Sequence, residues 1–339
     1  MEKLDWKNLH FGYMKTAFNV RSYYRDGKWS KPEVSDSEYL NIHIAATGLH
    51  YGQQAFEGLK AYMGKDGKIR LFRWQENARR LILSAEGIKM ATVPEELFRE
   101  AIFRAILENR QFVPPYGTGA TLYIRPLLFG SGAEVGVKPA SEYVFVVFVT
   151  PVGPYFREGI KPVSMMICRN VDRAAPLGTG TFKVGGNYAA SLRALLAANE
   201  GGYSSAIFLD AREKKYIDEC GPANFYGIKG DKYITPKSNS ILNSITNMSL
   251  IDIASSMGMK TERRPIPVGE LSTFSEAGAC GTAAVITPIA RIVDPEKNMV
   301  YEYCSDGKPG PVTMELYNRL VAVQNGDAPD EFGWITLVE

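Results

Sequence analysis

One stretch of this chain gathers residue types suited to covalent chemistry: Gly178-Thr179-Gly180-Thr181-Phe182-Lys183-Val184-Gly185-Gly186-Asn187-Tyr188. A lysine amine joins a carbonyl cofactor only when it is partly neutral, which requires a sheltered site. Lys183 has small and apolar neighbours, and no other charged residue stands between 174 and 192. Glycines on both sides let a flat ring approach the backbone, and Tyr188 is placed to hydrogen-bond a ring oxygen. Taken alone, Lys183 is one of 39 Lys and Arg residues and by default a solvated one. A nucleotide site is the competing reading of so many glycines, and it fails in detail. Gly178-x-Gly180 lacks the third glycine of a dinucleotide fingerprint, and a phosphate loop needs Gly directly before Lys. Gly64-Lys65 has that pair, but Asp66 follows where Ser or Thr is required.

Three further segments carry chemistry that fits the first. Ile217-Asp218-Glu219-Cys220-Gly221-Pro222-Ala223-Asn224-Phe225 sets a carboxylate beside a turn and ahead of an apolar strand. A buried carboxylate facing a pyridine nitrogen keeps that nitrogen protonated, which makes the ring an electron sink; the plainer alternative is a solvated turn residue. Ser238-Asn239-Ser240-Ile241-Leu242-Asn243-Ser244-Ile245-Thr246 is rich in hydroxyls and leads into a helix. Free amides at a helix start, with a Thr hydroxyl, make a phosphate site without net charge; the commoner alternative is simple capping by Ser244 or Thr246. Gly281-Thr282-Ala283-Ala284 is a small-residue turn that exposes backbone amides, or else a tightly packed corner.

Composition bounds the setting. The chain has 339 residues, 45% apolar and 22% charged, which is ordinary for a globular protein with a large core and two domains. A formal net charge of +2 gives no long-range attraction for nucleic acid or an anionic membrane, so an anion site has to be local. The first six residues carry acids and no apolar core, so no signal peptide is expected, and the longest apolar run, 143–149, is too short to span a bilayer. Cys168, Cys220, Cys280 and Cys304 are scattered with no metal-ligand spacing, which suits a reduced, cytoplasmic protein. The three histidines all lie in the first 50 residues without HxH or HExxH, so no metal site is expected.

The elements that must position these residues are mixed. The spacing predicts a hairpin over 18–24 turning at Asp26-Gly27 and a second over 59–62 and 69–72. Helices are expected at 75–89 and from Pro94, the latter with an apolar stripe of Leu97, Phe98, Ala101, Ile102, Ala105 and Ile106. Strands follow at 121–129 and 142–150. Pro151-Val152-Gly153-Pro154 breaks the pattern, and 151–162 is the best linker candidate. Beyond it come a strand at 163–169, the glycine-rich loop at 178–186, a helix at 188–199, short strands over 206–234, and helices at 247–257 and 312–324. No strict β-α-β alternation appears, so a regular barrel or doubly wound sheet is not expected.

Taken together, these segments resemble the branched-chain amino-acid aminotransferases, the fold-type IV family of pyridoxal-phosphate enzymes. The resemblance runs from His50-Tyr51-Gly52 to Ala328-Pro329-Asp330-Glu331-Phe332-Gly333-Trp334. It includes Ala55-Phe56-Glu57-Gly58-Leu59-Lys60-Ala61-Tyr62, Leu122-Tyr123-Ile124-Arg125-Pro126, Lys183-Val184-Gly185-Gly186-Asn187-Tyr188 and Gly281-Thr282-Ala283. It implies a mixed α/β fold: a small α/β domain (1–154), a linker (155–162) and a larger pseudo-barrel domain (163–339), with the cofactor between them.

The family pattern also implies roles. Lys183 would join the cofactor's aldehyde and shuttle a proton. Glu219 would face the pyridine nitrogen and Tyr188 the phenolic oxygen. Arg80 would bind the phosphate, with Arg79 as the one-residue-off competitor, and the amides of Ile245 and Thr246 together with Thr282 would complete the phosphate cup. Tyr123, Thr282 and Ala283 would hold the substrate carboxylate, and Tyr51, Phe56 and Tyr123 would wall an apolar side-chain pocket. Arg125 would help accept glutamate, while Val135 and Val137 would reach the partner subunit's site in a homodimer. The implied reaction is transamination between Leu, Ile or Val and 2-oxoglutarate; a D-amino-acid aminotransferase or an aminodeoxychorismate lyase is the nearest alternative, and a non-catalytic binding scaffold the alternative of another class. Two departures stand out. Relatives often end the segment before the phosphate-site helix in Ile-Thr-Arg where this chain has Ile245-Thr246-Asn247, which predicts weaker cofactor affinity. Ala284 and Thr287 stand where some relatives carry a redox CxxC, so no thiol switch is expected there.

Overall fold

The computed structural model describes residues 4–156, 159–304 and 306–339. They form two compact units, the first made of Met1–Arg157, Phe182–Gly185 and Ala322–Glu339, the second of Glu158–Thr181 and Gly186–Val321. Two stretches depart from a contiguous division at 154 and 163. The C-terminal strand Ile335–Val338, which sequence reading passed over, pairs with Ile69–Phe72 and so belongs to the first unit. Phe182–Gly185 joins it through an isolated bridge from Val184 to Ala55 and a bond from the Phe56 amide to the Lys183 carbonyl at 3.0 Å. The expected linker also begins later than Pro151: the strand Tyr143–Val152 runs on through Pro151, which pairs with Leu122. Positions 157–158 of that linker lie outside the described residues.

The first unit is built on an antiparallel sheet in the order Ile335–Val338, Ile69–Phe72, Leu59–Met63, Thr121–Gly130, Tyr143–Val152, Asn19–Arg25, Lys28–Trp29. Alternation sorts its side chains. Leu59, Ala61, Leu122, Ile124, Phe145 and Val147 face a core filled by the helices Trp74–Gly87 and Glu95–Glu108, which contribute Leu81, Phe98, Ile102 and Ile106. The other side of the same strands therefore carries Lys60, Tyr123 and Arg125, with Lys60 directly across from Tyr123.

The second unit holds a sheet in the order Ile217–Cys220, Ser205–Leu209, Val163–Cys168, Val285–Asp294, Glu276–Gly281, Ala223–Lys229, Lys232–Pro236, Lys260–Arg264. An additional pairing of Ile217–Cys220 with Ala223–Lys229 closes six of these strands on themselves, and closure removes the open edges. The interior is packed with Met165, Ile167, Ile207, Phe225, Ile234, Ala279 and Ile289. Parallel and antiparallel pairs mix, so this is a barrel-like sheet and not a regular barrel. The helix after the glycine-rich loop spans Gly185–Glu200, so Gly185, Gly186 and Asn187 form its first turn.

Candidate active site

In the first unit a group of charged side chains converges on Lys183. Its backbone N–H donates to Ser84 Oγ at 2.8 Å, and its ammonium lies 4.9 Å from the centroid of the Phe56 ring. Burial, reinforced by the nearby Arg80 charge, pushes the amine down to about 8. The shift runs in the direction that favours attack on a carbonyl, since an amine must shed its proton first.

Arg80 is buried and gripped by the fully buried Glu57: Nε donates to Oε1 and Nη2 to Oε2, each at 2.7 Å. Asn77 Nδ2 adds a third donor to Oε2 at 2.8 Å. Arg79 points away and pairs with Glu76 at 2.8 Å, exposed. Of the two competing arginines, Arg80 is the one the fold turns inward, as its place four residues before Ser84 on one helix face requires.

Arg125 stacks between two rings, 4.9 Å from the Phe56 centroid and 5.2 Å from that of Tyr123, and donates through Nη2 to the Tyr123 hydroxyl at 2.9 Å. Its Nε is buried without a hydrogen-bond partner. That hydroxyl lies where a Cβ on Gly58 would fall, at 2.1 Å, so position 58 has to lack a side chain. Tyr51 stands more exposed and donates to the Val135 carbonyl of the same chain; Val135 and Val137 are 83% and 88% exposed.

The second unit assembles a different set. Glu219, almost wholly buried on Ile217–Cys220, accepts at Oε1 from the Leu242 amide (2.6 Å) and Asn224 Nδ2 (3.3 Å). Arg173 Nε lies 3.3 Å from its Oε2 without a hydrogen bond of its own. The guanidinium also donates from Nη2 to the carbonyls of Gly180 (2.9 Å) and Ser240. These two segments meet so closely that a Cβ on Gly180 would sit 2.3 Å from the Ser240 carbonyl. Glu219, Arg173 and Tyr188 line one small cavity with Asn187, Ser191, Gly221 and Pro222. Neighbouring Asp218 serves another purpose: it accepts from Ser238 Oγ (2.9 Å) and Ser240 Oγ (2.6 Å), and burial raises its proton affinity.

The helix Ile245–Ser256 starts at the N-cap Ser244, whose hydroxyl accepts the Asn247 N–H at 3.2 Å. Ile245 and Thr246 are buried in its first turn. Thr282, Ala283 and Ala284 form a turn, closed by a bond from the Ile286 amide to the Ala284 carbonyl at 2.8 Å. Val285 beside it has a φ of +64°, a conformation that costs a β-branched residue about 1–3 kcal/mol. Strain of that kind at a turn already expected to present amides is what a binding corner would hold.

Sequence reasoning missed several of these participants. Lys60 is buried, and burial alone pushes its amine down to about 8, yet it stood inside an apolar strand motif as a family marker only. Glu57, Arg173 and Asn224 were also given no role, and Asn247 was noted only as the place of a missing arginine. Lys60 did carry a signal, a lone charge inside an otherwise apolar strand.

Each unit carries donors that suit part of a phosphorylated pyridine aldehyde: the first an amine with weakened proton affinity, an inward arginine and the unpaired Nε of Arg125, the second a buried carboxylate ringed by N–H groups. Residues 54–292 match the amino-transferase class IV family, and the chain belongs to it. It is 49% identical, over the whole of both chains, to the branched-chain-amino-acid aminotransferase of Haemophilus influenzae. Among solved structures it is similar to the branched-chain amino acid aminotransferase of Escherichia coli, at a TM-score of 0.81 and 28% identity over 96% of this chain and 100% of that one. It is likewise similar to the T.th. branched-chain amino acid aminotransferase with pyridoxamine 5'-phosphate, at a TM-score of 0.78 and 25% identity over 96% and 100%.

Proposed function

We propose that this chain is a pyridoxal-phosphate enzyme that transfers amino groups between the branched-chain L-amino acids leucine, isoleucine and valine and 2-oxoglutarate, giving branched-chain 2-oxo acids and L-glutamate. The observation that carries the proposal is Lys183, an amine pushed down to about 8 by burial among Phe56, Arg80 and Tyr123. When bound, pyridoxal phosphate supplies an aldehyde carbon for an amine and an electron-poor ring that draws charge from the substrate's Cα. Lys183 would hold that aldehyde and, once displaced by the substrate amine, would take the proton from Cα and deliver it to the former aldehyde carbon, positioned within the same site. Arg80, the amides of Ile245 and Thr246 and the Thr282 hydroxyl hold the phosphate. Glu219 accepts from the ring N–H, and Tyr188 donates to the phenolic oxygen.

Tyr51, Phe56 and Tyr123 wall the side-chain pocket and exclude water. Such a surface separates substrates by about 1–3 kcal/mol per methylene group, so all three branched amino acids are expected to be used. Tyr123, with the turn at Thr282 and Ala283, orients the substrate carboxylate. The unpaired Nε of Arg125 is a donor in waiting for the second carboxylate of glutamate. The proposal includes a homodimer, supported by the exposed Val135 and Val137, which would reach the partner's site. It includes a cytoplasmic location, supported by four free cysteines. Rates with L-leucine, D-alanine and aminodeoxychorismate test the substrate: turnover of L-leucine with 2-oxoglutarate is expected, and turnover of one of the other two alone contradicts the proposal.

A further inference from the structure

A directed chain of hydrogen bonds in the second unit ends on Glu219. Asn247, the third residue of Ile245–Ser256, is buried. The Tyr233 hydroxyl donates to its Oδ1 at 2.7 Å, which turns its Nδ2 toward Thr235 Oγ1 (2.9 Å) and Asn224 Oδ1 (3.4 Å). Thr235 donates its own proton to the Phe225 carbonyl at 2.7 Å, so its oxygen can only accept from Asn247. With Oδ1 of Asn224 engaged, Asn224 Nδ2 is left to donate to Glu219 Oε1 (3.3 Å) and the Leu242 carbonyl (3.2 Å). Every link therefore runs in one sense, with donors toward the carboxylate. The helix cap does not need the Asn247 side chain, because Ser244 already accepts its backbone N–H.

We infer that Asn247 is a positioning residue for Glu219, acting through Asn224 to hold that carboxyl in its ionised, acceptor-only form. The inference rests on the reading of Glu219 as the partner of the pyridine nitrogen. A carboxyl and a ring nitrogen that face each other share one proton. Donors on the carboxyl side stabilise a negative charge that exists only when the proton sits on nitrogen. Arg173, 3.3 Å from Oε2, acts in the same direction. An Asn224 amide turned round would set Oδ1 against Oε1, acceptor to acceptor, and draw the proton onto Glu219 to fill that contact. Asn247 opposes the turn together with the Leu242 carbonyl, because a rotated Asn224 would present its NH₂ to the NH₂ of Asn247 and its oxygen to that carbonyl.

The test uses the holoenzyme loaded with pyridoxal phosphate carrying isotopic label at the ring nitrogen, whose magnetic resonance signal reports protonation directly. The wild type is expected to show a protonated nitrogen. Asn247→Leu, similar in volume and without a donor, is expected to shift the proton distribution up to about tenfold toward the carboxyl, the size of one lost neutral hydrogen bond. Asn247→Gln, which keeps a donating amide, is expected to restore part of the wild-type signal. Tyr233→Phe keeps the ring and is expected to move the signal the same way by less, which also serves if Asn247→Leu does not fold. An unchanged signal in folded Asn247→Leu, or in Tyr233→Phe when that is the variant that folds, overturns the inference and leaves Glu219 in place. An unprotonated nitrogen in the wild type, or a wild-type signal in Glu219→Gln, overturns the reading of Glu219 and the inference with it.

Discussion

The two units handle buried charge in opposite ways. The first gathers cations. Lys183 and Lys60 are both pushed down to about 8, and Arg80 needs the whole carboxylate of Glu57 to stay buried. The second gathers donors around an anion: Leu242, Asn224 and Arg173 all face Glu219. Under the proposed function the contrast follows from the tasks. An amine that must attack has to lose its proton, so its surroundings disfavour positive charge. A carboxylate that must go on accepting has to keep its charge, so its surroundings supply N–H groups.

The largest effect should come from removing the amine. Lys183→Ala is expected to lower turnover by at least about a thousandfold and to abolish the visible absorbance of the holoenzyme; an active variant would break the comparison at its first term. Next is the buried pair. Glu57→Gln strands the Arg80 charge and is expected to lower unfolding stability by about 3–5 kcal/mol, read from urea midpoints; a shift under 1 kcal/mol, roughly the value of an exposed pair, would show that Arg80 is not buried as described.

How much of this was legible beforehand follows residue by residue. The glycine-flanked, charge-free surroundings of Lys183 made it a candidate, but only the resemblance of the ordered motifs lifted it above a solvated lysine, while both hairpins and the helix from Pro94 could be read from their periodicity. Ile335–Val338 could not, because four residues give too short a pattern and the strand forms only by pairing with Ile69–Phe72, far away in the chain. Arg173 and Asn224 were invisible for a related reason. Asn224 meets Glu219 only through the register of two strands, and Arg173 reaches it from a loop after Val163–Cys168. Arg80 and Arg79 were separable in outline alone until the helix face fixed which of them turns inward.

Smaller effects sharpen the contrast. Arg80→Gln is expected to weaken pyridoxal phosphate binding about 10- to 100-fold while Arg79→Gln leaves it unchanged, measured by titrating the apoprotein. Equal losses would return Arg79 to the site. The pH dependence is gentler still. The Lys183 amine is ammonium below about 8 and free above it, against 10.5 ordinarily. Uptake of pyridoxal phosphate by the apoprotein is therefore expected to quicken as pH rises through about 8. Between about 8 and 10.5 the folded chain binds fewer protons at this position than the unfolded one, so its stability rises with pH across that window. A Lys60→Met variant should keep the uptake profile, and losing it would move the reactive amine to Lys60.

The two depressed amines also make the central claim decidable in one step. Borohydride reduction of the holoprotein, followed by peptide mapping, fixes the cofactor to whichever lysine holds its aldehyde. The label is expected on Lys183 alone; label on Lys60, or on no lysine, would contradict the account.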